Sequence, residues 1–299
     1  MKKSIFIGIL VLIINIPVIL FSQQISPSVI SSAGEEYSNG NISLSWTLGE
    51  LATETLSNGN NTLTQGFQQP FYMAIVGIDL DLLVYLEGPF NGNSMNTALN
   101  SKGFIPLLQP FNTAPWDYSG SESLVSVPAN MVDWVLIEIR DAETAAEALP
   151  SSAVEIRAAI LLNDGSVVEP DGSSSLQFSA NIYHHPFVVV WHRNHLGVLS
   201  ATPATESGGI YLYDFSTAST QAYGTDALKI IGGGIYGLYA GDANADGIIN
   251  NTDNIIYWDQ QSGNTGYLEA DYNLDGEVQN QDKNDYAHDN AGENSQVPD

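Results

Sequence analysis

Two short acidic segments near the C-terminus constrain this chain more than any other feature. The first is GDANADGIINNTD, residues 241–253, and the second is DYNLDGEVQNQD, residues 271–282. Counted from Asp242, side-chain oxygens fall at positions 1, 3, 5 and 12: Asp242, Asn244, Asp246 and Asp253. Counted from Asp271 they are Asp271, Asn273, Asp275 and Asp282, so the second set lies 29 residues after the first. Position 6 is Gly247 and Gly276, and position 8 is Ile249 and Val278. Calcium is a hard cation that takes six to eight oxygens at about 2.3–2.6 Å, and alternate residues of a tight loop point theirs inward. The main-chain carbonyl of position 7 (Ile248, Glu277) adds another donor. A turn with positive φ at position 6 favours glycine. Asn/Asp-rich turns also occur without metal, but turns alone do not require five matching positions twice. Two bound calcium ions are therefore expected, with Asp253 and Asp282 each opening a helix and Ile249 and Val278 anchoring each loop to its partner.

At these residues the tail, roughly 241–290, resembles a type I dockerin, which carries Asp at position 12 where an ordinary EF-hand carries Glu. The resemblance implies two calcium-loop–helix units packed antiparallel, forming a small module over residues 241–299. It also implies docking onto a cohesin-type receptor. Positions 10 and 11, often Ser-Thr in that family, are Asn251-Thr252 and Asn280-Gln281 here.

The chain has 299 residues, with Lys+Arg 8, Asp+Glu 34 and no cysteine. Residues 1–22 have the pattern of a secretory signal: Lys2 and Lys3, an apolar run from Ile5 to Phe21, then Ser22-Gln23 near a cleavage site. Asn15 and Pro17 interrupt the run, and no cysteine follows it for a lipid anchor, so a secreted protein without membrane insertion is expected. Without Lys2 and Lys3, six basic residues face 34 acidic ones, a net charge of about −28. Residues 240–299 contain thirteen Asp/Glu against Lys283 alone. Such a surface excludes nucleic acid and anionic membrane as partners. With no disulfide available, stability must come from a packed core and metal.

Residues 23–74 read as a leader with short strands, including the period-two run Ile42–Leu48, and a hairpin at Asn58-Gly59. Residues 75–240 read as a β-sandwich-like domain. Its strands are predicted at Asp79–Leu86, Met131–Arg140, Ala153–Leu162, Leu176–Ile182, Phe187–His195, Ile210–Phe215, Leu228–Ile231 and Ile235–Tyr239. Asn163-Asp164-Gly165 and Gly232-Gly233-Gly234 are among the turns between them. Asp141–Leu149 is a candidate short helix or helical turn, and 91–120 a long loop. The run Val132–Arg140 is apolar on both faces and predicts a strand buried on both sides. The segment SPSVISSAGEEYSNGNISLSWTLGE resembles a leader found after the signal in exported Gram-negative proteins. The wording VDWVLIEIRD, AAILLNDGSVVEPDG, VVVWHRNHLGVLSA and YDFS resembles a recurrent uncharacterised extracellular β-module that implies no catalytic activity.

Four of the five histidines cluster: His184, His185, His192 and His195. Imidazole suits zinc or copper, but alternation along a strand separates His192 from His195 unless the strand ends near Arg193. Hydrogen-bonded histidines at a strand end are the expected outcome. Glu138, Arg140, Arg157 and Arg193 sit in apolar runs and should pair, since an unpaired buried ion costs several kcal/mol. Arg193 alternatively suits an anionic-ligand pocket. Asp79/Asp81 and Glu138/Asp141 are the carboxylate pairs available to a glycosidase, and no nucleophile elbow or zinc-protease motif is present. Trp116 and Tyr118, in the polar loop PWDYSG, are the candidates for ligand contact; Trp134 and Trp191 are predicted to be core. The function expected is a secreted, non-catalytic calcium-binding protein for cell-surface attachment or assembly, by self-association or through a receptor. Carbohydrate binding, or a part in polysaccharide degradation, is the alternative.

Overall fold

The structure, a computed structural model, describes Ala33–Ser38, Ser43–Leu48, Thr55–Ser57 and Thr62–Thr64 as main chain, and all of residues 75–299. The expected signal segment at 1–22 lies outside the described residues. Contacts divide the chain into two units, Met1–Phe71 and Tyr72–Asp299. In the first unit β1 (Ala33–Ser38) pairs antiparallel with β2 (Ser43–Leu48), and β3 (Thr55–Ser57) with β4 (Thr62–Thr64). The second hairpin is the one expected around Asn58-Gly59.

The second unit carries β5 (Ile75–Leu83), β6 (Met131–Ala142), β7 (Ala153–Leu162), β8 (Ser166–Val168), β9 (Leu176–Ile182) and β10 (His185–Trp191). There follow β11 (Val198–Leu199), β12 (Thr205–Ser207), β13 (Ile210–Asp214), β14 (Lys229–Gly232) and β15 (Ile235–Gly237). The protein is mainly β, as its turn-punctuated short runs predict. The strands do not divide into two facing sheets, however. Nine of them form one curled sheet in the order β11-β10-β6-β7-β8-β5-β13-β12, with β9 also paired to β5. The reason lies in β8, a strand too short to show a period. It hydrogen-bonds to β7 through Val167 and Val168 and to β5 through Ser166 and Val167. The two halves that would otherwise face each other as separate sheets are thereby joined. The tight β7–β8 turn uses Gly165 at φ +91, a conformation open to glycine.

Strand β6 lies between β10 and β7 and is buried along Met131–Arg140. It contributes Trp134 from one face and Ile137 and Ile139 from the other to the main core, alongside Leu80, Phe111 and Phe215. The opposite side of the neighbouring β10 is covered by a second cluster of Phe187, Val189, Leu199, Ala148 and Val297. Of the short helix or helical turn expected over Asp141–Leu149, the structure has the turn, a single 3₁₀ turn at Ala145–Glu147 after β6 runs on to Ala142. Arg140 satisfies the predicted pairing: its Nε donates to Glu138 at 2.7 Å, and an end nitrogen donates to the carbonyls of Ala148 and Pro298. Arg157 pairs with Glu169 at 3.1 Å.

The strand expected over Phe187–His195 ends at Trp191, and the next four residues leave the sheet to reach the tail. Arg193 Nε donates to Asp133 at 2.9 Å, and the Tyr267 hydroxyl donates to the other oxygen of Asp133 at 2.6 Å. The Arg193 guanidinium also stacks 4.2 Å from the Tyr267 ring centre. Asp133 is fully buried. Burial alone would raise its pKa, but the charge of Arg193, with hydrogen bonds from His192 and Tyr267, outweighs it and holds the carboxyl at about 2. Removing one partner of a buried pair leaves the other charge uncompensated, at about 3–5 kcal/mol. Asp133→Ala is therefore expected to lower stability by about that much in a urea titration. Lys102→Ala, which breaks an exposed, solvent-screened pair with Glu277, should lower stability far less; equal effects would contradict the central place given to Asp133.

Candidate functional site

The two acidic loops have the same local geometry. In the first, Asp242 accepts the N–H groups of Asp246 (3.1 Å) and Gly247 (3.0 Å). Asp253 accepts those of Asn244 (3.2 Å) and Asn250 (2.9 Å), and Asp246 accepts that of Ile248 (3.0 Å). In the second, Asp271 accepts Asp275 (3.1 Å) and Gly276 (2.8 Å), and Asp275 accepts Glu277 (2.9 Å). Asp282 accepts Tyr272 (2.9 Å), Asn273 (3.2 Å) and Gln279 (2.9 Å). Asn244 and Asn273 accept the N–H of Asp246 and Asp275 and donate to the same residues' carboxylates. Gly247 and Gly276 have φ +82 and +85, as position 6 requires, and position 4 is also left-handed, at Ala245 (φ 53) and Leu274 (φ 56). Helical segments with π-type winding, Asp253–Trp258 and Asp282–Ala287, carry the position-12 aspartates in their first turns. A further short segment, Asp259–Gln261, continues the first.

The expected anchoring of position 8 takes a different form. Ile249 and Val278 are buried, but neither backbone pairs with the other loop. Ile249 N donates to Glu293 O at 3.0 Å, Gly292 N to Ile249 O at 2.9 Å, and Ser295 N to Gly247 O at 2.8 Å. Val278 N donates to Asn264 O at 3.0 Å, Gly263 N to Val278 O at 2.8 Å, and Gly266 N to Gly276 O at 3.1 Å. The two sets superpose at the 29-residue interval, Gly263 on Gly292 and Asn264 on Glu293. Each unit is thus loop, helix and returning strand, and each returning strand closes the other unit's loop.

Both loops dock on the segment that leaves β10. The Asn194 carbonyl accepts Gly241 N (3.1 Å) and Asp242 N (3.2 Å), and its side-chain amide donates to Glu269 O (2.9 Å) and Asp271 O (2.8 Å). One asparagine therefore holds the entrance of both loops. Arg193 donates to Leu268 O between them. On the far side, Gly88 lies against the main chain of loop 2, where a Cβ would come 1.8 Å from Tyr272 O. His192 and His195 meet once the strand has ended, with Nδ1 atoms 3.1 Å apart and rings in edge contact. Burial keeps both uncharged, lowering their pKa values, and for His195 the nearby His192 and Arg193 add to it. His195 Nε2 accepts Gly88 N. His184 instead sits at the opposite end of β10, near Asp141 and Glu143. The four histidines do not form one site.

The donor set suits a hard cation. Burial and neighbouring carboxylates push Asp242 up to about 7. Burial, opposed by the charge of Arg193, does the same to Asp271, and burial brings Asp282 to about 6. These groups accept backbone N–H bonds, while burial holds their pKa values above the usual carboxylate range. Among the described residues no three His, Cys, Asp or Glu side chains form a tight cluster by themselves; Asn244, Asn273 and the carbonyls of Ile248 and Glu277 would have to complete each shell. The Glu277 side chain is engaged outside the loop with Lys102 at 2.8 Å.

Beside loop 1 runs a groove of about 370 Å³ lined by Trp116, Trp191, Asp246, Ile248, Asn294 and Asp299. Trp116 is half-buried rather than free, packed edge-on against Phe111 at 5.0 Å. Tyr118 is engaged by Glu122 (2.6 Å) and the Ile156 carbonyl (3.1 Å). Trp134 is core as predicted, whereas Trp191 is partly exposed and donates to Glu138 at 3.1 Å. The candidate carboxylate pairs do not frame a cleft. Asp79 and Asp81 line different grooves, Glu138 is held by Arg140, and Asp141 accepts the N–H groups of Tyr183 and His184. Compared with family models, curated proteins and solved structures, the chain matches none.

The raised carboxylates set the pH response of metal-free protein. A group whose folded pKa exceeds its unfolded value near 4 contributes stability fully below that value and loses it as pH rises through the folded pKa. For Asp242, Asp271 and Asp282 the window is about pH 4–7. The buried histidines act oppositely, losing stability as pH falls below about 6.5. In EGTA, Asp242→Asn/Asp271→Asn is therefore expected to gain stability relative to wild type as pH rises from 5 to 7.5, measured by thermal melts. A difference that stays flat with pH would contradict the raised carboxylates.

Proposed function

We propose that the protein is a secreted, non-catalytic calcium-binding protein that serves attachment or assembly at a cell surface, and that its tail is a dockerin-like module. The observation that carries this reading is the duplicated loop geometry. Asp242, Asn244, Asp246, the Ile248 carbonyl and Asp253 would hold one calcium ion, and Asp271, Asn273, Asp275, the Glu277 carbonyl and Asp282 a second. Each ion would supply positive charge where buried carboxylates lack it. The ions would hold each loop against the returning strand of the other unit, and both loops against Asn194. Extracellular calcium modules bind at roughly 10⁻⁴–10⁻³ M, which suits an external location. The finer architecture proposed is a β-domain followed by this module, the two packed as one compact unit rather than joined by a free linker. Partners would reach the exposed side chains of Ile255 and Ile256 on the first helical segment.

Light scattering after size exclusion, in 5 mM calcium and then in EGTA, distinguishes the roles. Calcium-dependent assembly lost in Asp242→Ala/Asp271→Ala is the expected result. A monomer in both conditions, merely less heat-stable in EGTA, would overturn self-assembly and leave calcium structural. The groove shared by Trp116, Trp191 and loop 1 supports glycan binding as the second reading. Glycan-array binding abolished by Trp116→Ala would favour it over assembly.

A further inference from the structure

Away from the loops, a lysine, an asparagine and a glutamate converge where the tail meets the β-domain. Lys229 on β14 donates to Asn290 Oδ1 at 2.6 Å and pairs with Glu87 Oε1 at 2.6 Å. Asn290 Nδ2 donates to Glu87 Oε2 at 2.6 Å and to Ala240 O at 2.8 Å. These contacts assign the amide orientation, since the nitrogen faces two acceptors and the oxygen faces the ammonium. The site is sheltered: Asn290 is 2 % exposed, and the Glu87 and Lys229 side chains 9 % and 23 %. Glu87 therefore touches both the amine and the amide nitrogen, one with each carboxylate oxygen.

An amine, a carboxamide and a carboxylate arranged in this way are the reactants and the proton shuttle of a transamidation. We propose that Lys229 and Asn290 form an intramolecular isopeptide bond, with Glu87 as the acid–base group. Glu87 takes a proton from the Lys229 ammonium, and the freed lone pair attacks the Asn290 side-chain carbon once the carboxamide turns its face to Nζ. Glu87 passes that proton to Nδ2, the C–Nδ2 bond breaks, and ammonia departs. Glu87 then removes the second proton from the linking nitrogen, and the departing ammonia carries it off as ammonium. One C–N bond forms, one breaks, and no oxidant or cofactor is needed. Burial works to lower the Lys229 pKa, but Glu87 and Asp289 outweigh it and keep the amine protonated. Transfer to Glu87 must therefore precede attack, which makes this a slow reaction that occurs once per molecule. The bond would tie β14 to the residues after the second helical segment, closing a loop between positions 61 apart. In a chain with no cysteine it would supply the covalent lock that a disulfide cannot. Nothing in it depends on calcium.

Intact mass spectrometry of the purified protein under denaturing conditions tests this directly. Wild type is expected about 17 Da lighter than its sequence requires, the mass of ammonia, and Lys229→Arg, Asn290→Ala and Glu87→Gln should each have their full mass. Digestion should give one branched peptide pair joined at Lys229 and Asn290. A wild-type mass equal to the sequence mass would overturn the proposal and leave a salt-bridge network. A loss of about 18 Da with the branch at Asp289 would also overturn it, because water rather than ammonia would have left. The decisive reading is on wild type, so a variant that misfolds does not obscure it.

Discussion

The architecture depends on one buried cation placed where the sheet ends. Arg193 lies two residues past the end of β10, and Asp133, two residues into β6, pairs with it at 2.9 Å. Burying such a pair gains little net energy, because desolvation cancels most of the attraction. What it fixes is position. With Arg193 held by Asp133 and Tyr267, the next residue, Asn194, can present its carbonyl to the start of loop 1 and its amide to the start of loop 2. Stability itself comes mainly from the apolar core around β6, where each fully buried large side chain contributes about 1.5–3 kcal/mol. The ion pair converts that stable sheet into a seat for two acidic loops.

The loops in turn are built so that neither unit is complete alone. Each contributes its own carboxylates but borrows a returning strand from the other, and the last residues reach back to the β-domain. Val297 packs with Phe187 and Val189, the Pro298 carbonyl accepts from Arg140, and Ser295 donates to Gly197 O. The tail thus wraps from Asn194 through both loops to the second face of the sheet. The charge pattern of the chain follows the same division. Thirteen acidic residues stand against one lysine over 240–299, and the β-domain brings cations to meet this tail, Lys102, Arg140, Arg193 and Lys229.

How much of this was legible varies with how local each feature is. The loop positions could be read because every donor lies within twelve residues, so spacing alone sets geometry. Strands β7 and β9 match their predicted limits because alternation and turn residues bracket them. Strand β8 has three residues and β11 two, too few for a period, and the loss of β8 turned one curled sheet into an expected sandwich. The partner of Arg193 lies 60 positions away at Asp133, which no local pattern indicates. The role of Asn194 rests on contacts with Gly241, Asp242, Glu269 and Asp271, too distant in sequence for any local pattern to indicate. One missed feature did have a signal: Gly263 and Gly292 keep the same interval as the loops, so the repeat could have been extended through the helices to the returning strands.

The central claim is that loops and sheet form one energetic unit joined through residues 192–195. Native-state hydrogen exchange in calcium and in EGTA tests it most directly, read at the amides of β6 and β10 as well as in the loops. The account requires protection to fall together in both places when calcium is removed, and Asn194→Ala to weaken that link. Loops that lose protection while β6 and β10 keep theirs unchanged would show two independent parts and contradict it.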